Sequence, residues 1–333
     1  MRVNIKQVAE AAKVSTATVS HVINETRYVS DATRERVLKA MKELNYRPSS
    51  IARSLRRQKT NIIGLIMPVM VFSYFDYYFM QVAHGIYETF KKFGYTVFLG
   101  SSNNNIIDEI EQIKIFNAQR LDGLIILPIG GEDKYLRRIL SENYPVVFID
   151  RRAEGCQGDC VLADNFQGAY DAVAALIKKG HRRIGCISNN VRVTPVIERL
   201  QGYEKALEDH GIEIDHSLIQ IEEYSFENGY RFAQYFLNET DVTALFVADN
   251  LLLMGAMEYF QHNKIPIPDR LAIIGFDDFE WERITTPPLS VVKQPAYELG
   301  EKAAEVMLKR LSNKGGEYRE YRLPTELIIR QSF

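Results

Sequence analysis

The chain has 333 residues, 46% of them hydrophobic and 25% charged, with a formal net charge of −2. That length suits two or three domains and that composition an ordinary globular protein. No apolar run reaches the ~18 residues that cross a bilayer, and three cysteines (Cys156, Cys160, Cys186) are too few for a disulfide framework. The opening stretch MRVNIKQVAEAAKV lacks the apolar core of a secretion leader. The expectation is a cytoplasmic protein with no membrane partner.

The small net charge hides an asymmetry. Residues 1–60 hold 13 Lys and Arg against five acids, a net of +8, and the remainder carries −10. A basic module on an acidic body points to nucleic acid, because neutralising phosphates releases counterions. In that module Ile5, Val8, Ala9 and Ala12 fall on one face of a short helix. Ser15 is a suitable N-cap for a second helix over Thr16–Ile23, with Val19, Val22 and Ile23 inward and Thr16, Ala17, Ser20 and His21 outward. A third helix runs from Ser30–Asp31 to Leu44. Two short helices across a tight turn, followed by a supporting helix, form a helix-turn-helix pattern whose second helix suits the major groove. Beyond it, Pro48 opens a tether in which Ile51, Ala52 and Leu55 share a face among Arg53, Arg56, Arg57 and Lys59. That segment is too short to be a stable helix alone, so it is expected to order against DNA and a second copy.

From residue 61 apolar strands alternate with amphipathic helices. Strands are expected at 62–67, 96–100, 123–127, 146–149, 161–163, 184–187, 244–247 and 271–275, and helices at 79–93, 167–179, 200–210 and 255–263. This alternation predicts parallel sheets covered on both faces, and about ten strands suit two sheets better than one. Ligands of such sheets bind at the carboxyl ends of strands. Asp150, Asp249, Asn250 and Asp277 stand at those ends. Carboxylates suit adjacent sugar hydroxyls, Arg199 is a forked donor, and Tyr78, Phe79, Tyr224, Phe276 and Trp281 are candidate apolar walls. No GxSxG, GxxxxGK[ST] or HExxH spacing is present, and Cys156-x3-Cys160 lacks partners for a zinc site. The expectation is therefore no catalytic residue, no metal and no cofactor.

The stretch IKQVAEAAKVSTATVSHVINETRYVSDATRERVLKAMKELNYRPSSIARSL resembles the DNA-binding headpiece of the lactose-repressor family, closest to its purine-repressor branch. RLDGLIILP, ERLQGYEKAL, TALFVADNLLLMGAM and IIGFDDFEWERITTPPLSVVKQP extend the resemblance along the chain. It implies a helix-turn-helix headpiece (1–47), a hinge helix and linker (48–60), and an effector-binding and dimerisation domain (61–333). That domain would be two doubly wound parallel-sheet α/β subdomains of the periplasmic-binding-protein type, about 61–160 with 293–321 and about 161–290 with 324–333. The chain would cross between them near Cys160, Ser290–Gln294 and Tyr321–Pro324. The resemblance also implies that Thr16, Ala17 and His21 read bases, Arg27 touches base or backbone, and Ser15, Asn24 and Tyr28 hold phosphates. Ile51, Ala52, Arg53 and Leu55 would form the hinge helix, with Leu55 as its minor-groove wedge. Arg199, Asp249 and Asp277 align with effector contacts, and Phe79 and Tyr224 with aromatic clamps. Relatives usually read Asn-Asp where this chain has Asp249-Asn250, which changes an amide for a pure acceptor.

The function so implied is a homodimeric repressor of carbohydrate-utilisation genes. It would bind a palindromic double-stranded DNA operator and be released by a small sugar, sugar acid or sugar phosphate. Alternatives are a purine-type corepressor or control by a phosphorylated carrier protein docking on the body. No leucine-heptad tail follows the last strand, so a dimer is expected rather than a tetramer.

Overall fold

The computed structural model describes residues 3–46, 59–69, 76–130, 135–140, 144–313 and 315–333. The chain divides into two units, Met1–Asn61 and Ile62–Phe333. The tether residues Ile51, Ala52, Arg53 and Leu55, expected to form the hinge helix, lie outside the described residues.

The first unit is three helices, α1 (Ile5–Ala11), α2 (Thr16–Asn24) and α3 (Asp31–Glu43). Asn4 and Gln7 cap α1 reciprocally, each side chain accepting from the other's backbone N–H. The Ser15 hydroxyl accepts the Thr18 N–H at 3.0 Å and starts α2. Lys13, at φ 54°, makes the tight turn between them. Val8, Ala9, Ala12, Val19, Val22, Val37 and Ala40 form one small core. The expected helix-turn-helix is thus present, its second helix one residue longer than expected.

The second unit has two lobes. In chain order it runs β1 (Ile62–Met67), α4 (Asp76–Lys92), β2 (Thr96–Ser101), α5 (Ile106–Ala118), β3 (Gly123–Ile126), α6 (Leu136–Ile139), β4 (Val146–Ile149) and β5 (Asp159–Ala163). There follow α7 (Asn165–Lys178), β6 (Ile184–Asn189), α8 (Thr194–Asp209), β7 (Ile219–Glu222), α9 (Phe226–Glu239), β8 (Ala244–Val247), α10 (Asn250–His262), β9 (Ala272–Phe276) and α11 (Glu280–Ile284). The chain ends with β10 (Ser290–Lys293), α12 (Ala296–Ser312), β11 (Glu320–Leu323) and β12 (Glu326–Ile328).

One sheet has the order β11-β5-β4-β3-β1-β2 and is wholly parallel; the other has the order β12-β10-β9-β8-β6-β7, with only β12 antiparallel. Central strands such as β3, β4, β8 and β9 are buried at every residue, which is why they read as unbroken apolar runs.

The strand expected at 161–163 was assigned to the second lobe. It begins at Asp159 and pairs with β4 and β11, so it belongs to the first. The first crossing therefore falls at Asp164 rather than near Cys160, and Asp164 caps α7 by accepting the Gln167 N–H at 3.2 Å. An apolar run carries no mark of which sheet takes it. Residues 290–293, expected as a crossing, form a strand, and the chain crosses at Gln294–Pro295. The third crossing is at Pro324–Thr325.

Helix pairs close on glycines. A Cβ at Gly255 of α10 would meet the Phe226 carbonyl oxygen of α9 at 1.9 Å, and one at Gly85 of α4 would meet the Tyr297 carbonyl oxygen of α12 at 2.1 Å. Gly255→Ala is expected to destabilise the protein by about 1–3 kcal/mol through forced separation of α9 from α10, read as a lower urea midpoint with an unchanged slope.

Candidate functional site

Two surfaces carry the candidate residues. On the first unit α2 presents Thr16 and Ala17 exposed. His21 Nδ1 hydrogen-bonds Thr26 Oγ1 at 2.8 Å, which fixes the ring. The Asn24 amide returns to the Ser20 carbonyl at 2.8 Å. Ser15 is occupied as a helix cap, so a phosphate there would share the hydroxyl with the Thr18 N–H. Arg27 is exposed and Tyr28 stands 92% accessible just past α2. Glu25, at φ 52°, ends α2 and pairs with Arg34. Arg36, Lys39 and Lys42 remain exposed on α3.

In the second unit a cavity of about 500 Å³ lies between the carboxyl ends of the two sheets. Eight of the ten expected effector residues line it: Tyr78, Phe79, Asp150, Arg199, Tyr224, Asp249, Asn250 and Asp277. Phe276 and Trp281 do not. Phe276 is fully buried, and the Arg199 guanidinium stacks over its ring at 3.7 Å. It is the platform beneath a site residue, turned away because successive strand residues face opposite sides. Trp281 packs against the core around α9 and α10.

Arg199 comes from α8 and is 6% exposed. Its Nε donates to Asn165 Oδ1 at 2.8 Å and its Nη1 to the Ala248 carbonyl at 2.9 Å. Among the described residues no ion pair joins it to Asp249 or Asp277. Asp249 caps α10 through the Leu251 N–H at 3.1 Å, and its other oxygen faces the Asn189 amide at 3.4 Å. Asp150 accepts the Tyr78 hydroxyl at 2.7 Å and lies 3.6 Å from Arg151 Nε. Arg151 also donates to the carbonyls of Pro128 and Ile129.

Asp150 and Asp277 end β4 and β9 in the same left-handed backbone conformation, φ 66° and 74°. Such conformations concentrate at functional sites, and Asp tolerates them better than most residues. Sequence reasoning missed Gln294, Asn189 and Phe279. Gln294 donates to Asp277 at 2.6 Å, and its own carbonyl oxygen is buried without a partner among the described residues. These residues come from a crossing, a strand end and a loop, where no apolar period marks them.

Burial dominates the electrostatics. It pushes the Asp249 carboxyl up to about 7, Arg199 pulling against it and Asp277 adding to it. Burial likewise raises Asp277, again against the Arg199 charge. The Tyr78 hydroxyl lies well above the usual phenol range through burial and the adjacent Asp150. A carboxyl raised in the folded state lowers stability progressively as pH rises from its unfolded value to its folded one. Asp249→Asn keeps a good helix cap without the charge. Its melting temperature is expected to exceed the parent's most above about pH 7, with the gap closing as pH falls from 7 towards 4. Melts across that range check the sign.

Residues 4–49 match the bacterial regulatory proteins of the lacI family, and residues 173–333 match a periplasmic binding protein-like domain. The chain is 33% identical over 331 residues to the HTH-type transcriptional repressor PurR of Photobacterium profundum, with 98% of each chain covered. It is 34% identical over 330 residues to the ribose operon repressor of Haemophilus influenzae, again with 98% of each covered. In fold it is similar to the Lac repressor dimer bound to operator and the anti-inducer ONPF, with a TM-score of 0.86 and 25% identity over 100% of this chain and 99% of that one. Among the described residues no helix is long and apolar enough to cross a membrane.

Proposed function

Since the chain belongs to the LacI family of bacterial regulatory proteins, and is a transcriptional repressor rather than an enzyme, we propose that it acts as a homodimer on a palindromic operator and is released by an uncharged sugar. Residues 1–47 read DNA in this scheme, 48–60 form the hinge with Leu55 as wedge, and 61–333 bind the effector and the second copy. The net +8 of the first 60 residues supports the DNA role, as do Thr16, Ala17, His21, Arg27 and Tyr28 on and beyond α2. The dimer is supported by exposed Phe93, Phe98, Leu99 and Ile107 on and around α4, β2 and α5 of the first lobe, a large apolar area for a monomer to leave in water.

The charge inventory of the cavity carries the effector class. Arg151 is engaged by Asp150 and two carbonyls. That leaves Arg199 alone against Asp249, Asp277 and Glu223 among the lining residues. An acid or phosphate would add negative charge beside three carboxyl groups with one guanidinium to answer it. A polyhydroxy ligand instead supplies donors to their oxygens and acceptors to Arg199, with Phe79, Tyr224 and Phe279 as apolar walls. A flat purine is the second reading, favoured by those aromatic walls and by the purine-type relatives.

Binding biases release only if the ligand prefers one arrangement of the lobes. A thermal-shift panel of neutral sugars, sugar acids, sugar phosphates and purines on the full-length protein tests this. A neutral sugar at ~100 times its dissociation constant adds about 2.7 kcal/mol, and Asp277→Ala is expected to abolish that shift while operator binding persists. A hit confined to acids or phosphates overturns the effector class. On the DNA side, His21→Ala is expected to relax base preference at one position of each half-site by about 1–3 kcal/mol, measured by competition binding to operator variants.

A further inference from the structure

Glu282 is fully buried, on a helix of only five residues, with no cation paired to it among the described residues. Its Oε1 accepts the Asn250 side-chain amide at 2.6 Å and its Oε2 the Phe279 backbone N–H at 2.7 Å. A glutamate that only returned a hydrogen bond to its own helix start would do so at the surface. Burying a carboxylate costs several kcal/mol unless its hydrogen bonds repay the loss of water, and a five-residue helix does not demand that arrangement. What the two bonds join is informative. Asn250 and Phe279 both line the cavity, 29 residues apart in sequence. Beside Phe279 the chain reaches the first lobe: the Tyr77 ring meets the Phe279 ring edge-on at 5.4 Å, and the Tyr77 hydroxyl donates to Glu280 Oε1 at 3.1 Å.

We infer that Glu282 is a positioning residue that makes the cavity wall at Asn250 and the lobe-to-lobe contact at Tyr77 one mechanical unit. The inference rests on the cavity being the effector site. A ligand gripping Asn250 then bears, through one buried carboxylate, on the contact between the lobes. The backbone of Glu282 is anchored as well, its carbonyl accepting from Leu289 N–H at 2.9 Å and from the Thr285 hydroxyl at 3.0 Å. Burial, with Asp277 and Asp278 nearby, raises the carboxyl to about 8 even though the backbone N–H groups of Phe279 and of Glu282 itself favour its charge.

Hydrogen exchange read by mass spectrometry on the full-length, ligand-free protein tests the coupling. Glu282→Gln keeps the shape but presents one acceptor and one amide donor where two acceptors are needed. Exchange is expected to rise on the order of tenfold at residues 279–284 and also at 77–81 across the cavity, as for a local opening that loses one buried hydrogen bond. The emission of Trp281, the only tryptophan, is expected to shift with it. Asn250→Ala leaves the carboxylate in place and removes one donor; it too is expected to loosen 77–81. A change confined to 279–284 in both variants, or one spread evenly over the second lobe, overturns the coupling. Because no ligand enters the experiment, failure of the sugar assignment in the panel above leaves this result standing, and the reverse holds equally.

Discussion

Arg199 is buried, yet no carboxylate neutralises it at ion-pair distance among the described residues. Its charge is held by an amide, a carbonyl and an aromatic face: Asn165, Ala248 and Phe276. Asn165 opens α7 immediately after the first crossing, Ala248 follows β8, and Phe276 closes β9. One guanidinium thus ties a crossing to two strand ends, and the geometry of the cleft follows from it. Among the described residues Arg199 forms no ion pair with Asp249 or Asp277, which face the same cavity. Their neutral forms are favoured by burial, which limits the charge gathered in the cavity.

The same economy governs the space around them. Hydrogen bonds to Asp150 come from Tyr78, and those to Asp277 from Gln294, which sits on a crossing. The cavity residue Asp277 is therefore in contact with a crossing residue, whose backbone must rotate if the lobes move. Coupling between binding and lobe geometry needs no long relay in such an arrangement, only differential contact with two states.

The three helices of the headpiece were legible to within a residue because their signals are local: Ser15 as a cap, apolar positions at helical spacing, a break at Lys13-Val14. Eight of the twelve strands among the described residues were legible, most of them as continuous apolar runs; β7, β10, β11 and β12 were not, and β7, β11 and β12 are partly exposed. Sheet membership was not legible, since β5 and β6 read alike and only pairing decides between them. Strand ends named Asp150, Asp249 and Asp277 correctly as cavity residues. Aromatic identity misled at Phe276 and Trp281, because a ring that packs in a core has the same sequence signature as one that walls a cavity. Gln294, Phe279 and Glu282 had no signature at all: polar or loop residues acquire their roles from neighbours distant in sequence.

The pairing of Cys160 with Glu320 in the first lobe has a bearing on how the protein is made. The headpiece is complete after its first few dozen residues and can fold while the ribosome is still translating the body. The first lobe cannot finish, since β5 waits for a neighbour encoded some 160 residues later, roughly ten to thirty seconds of elongation at ~5–20 residues per second. Throughout that interval the nascent chain carries a folded basic headpiece and an open β5 edge. Newly made chains therefore present the basic first unit before the second unit can close its sheet.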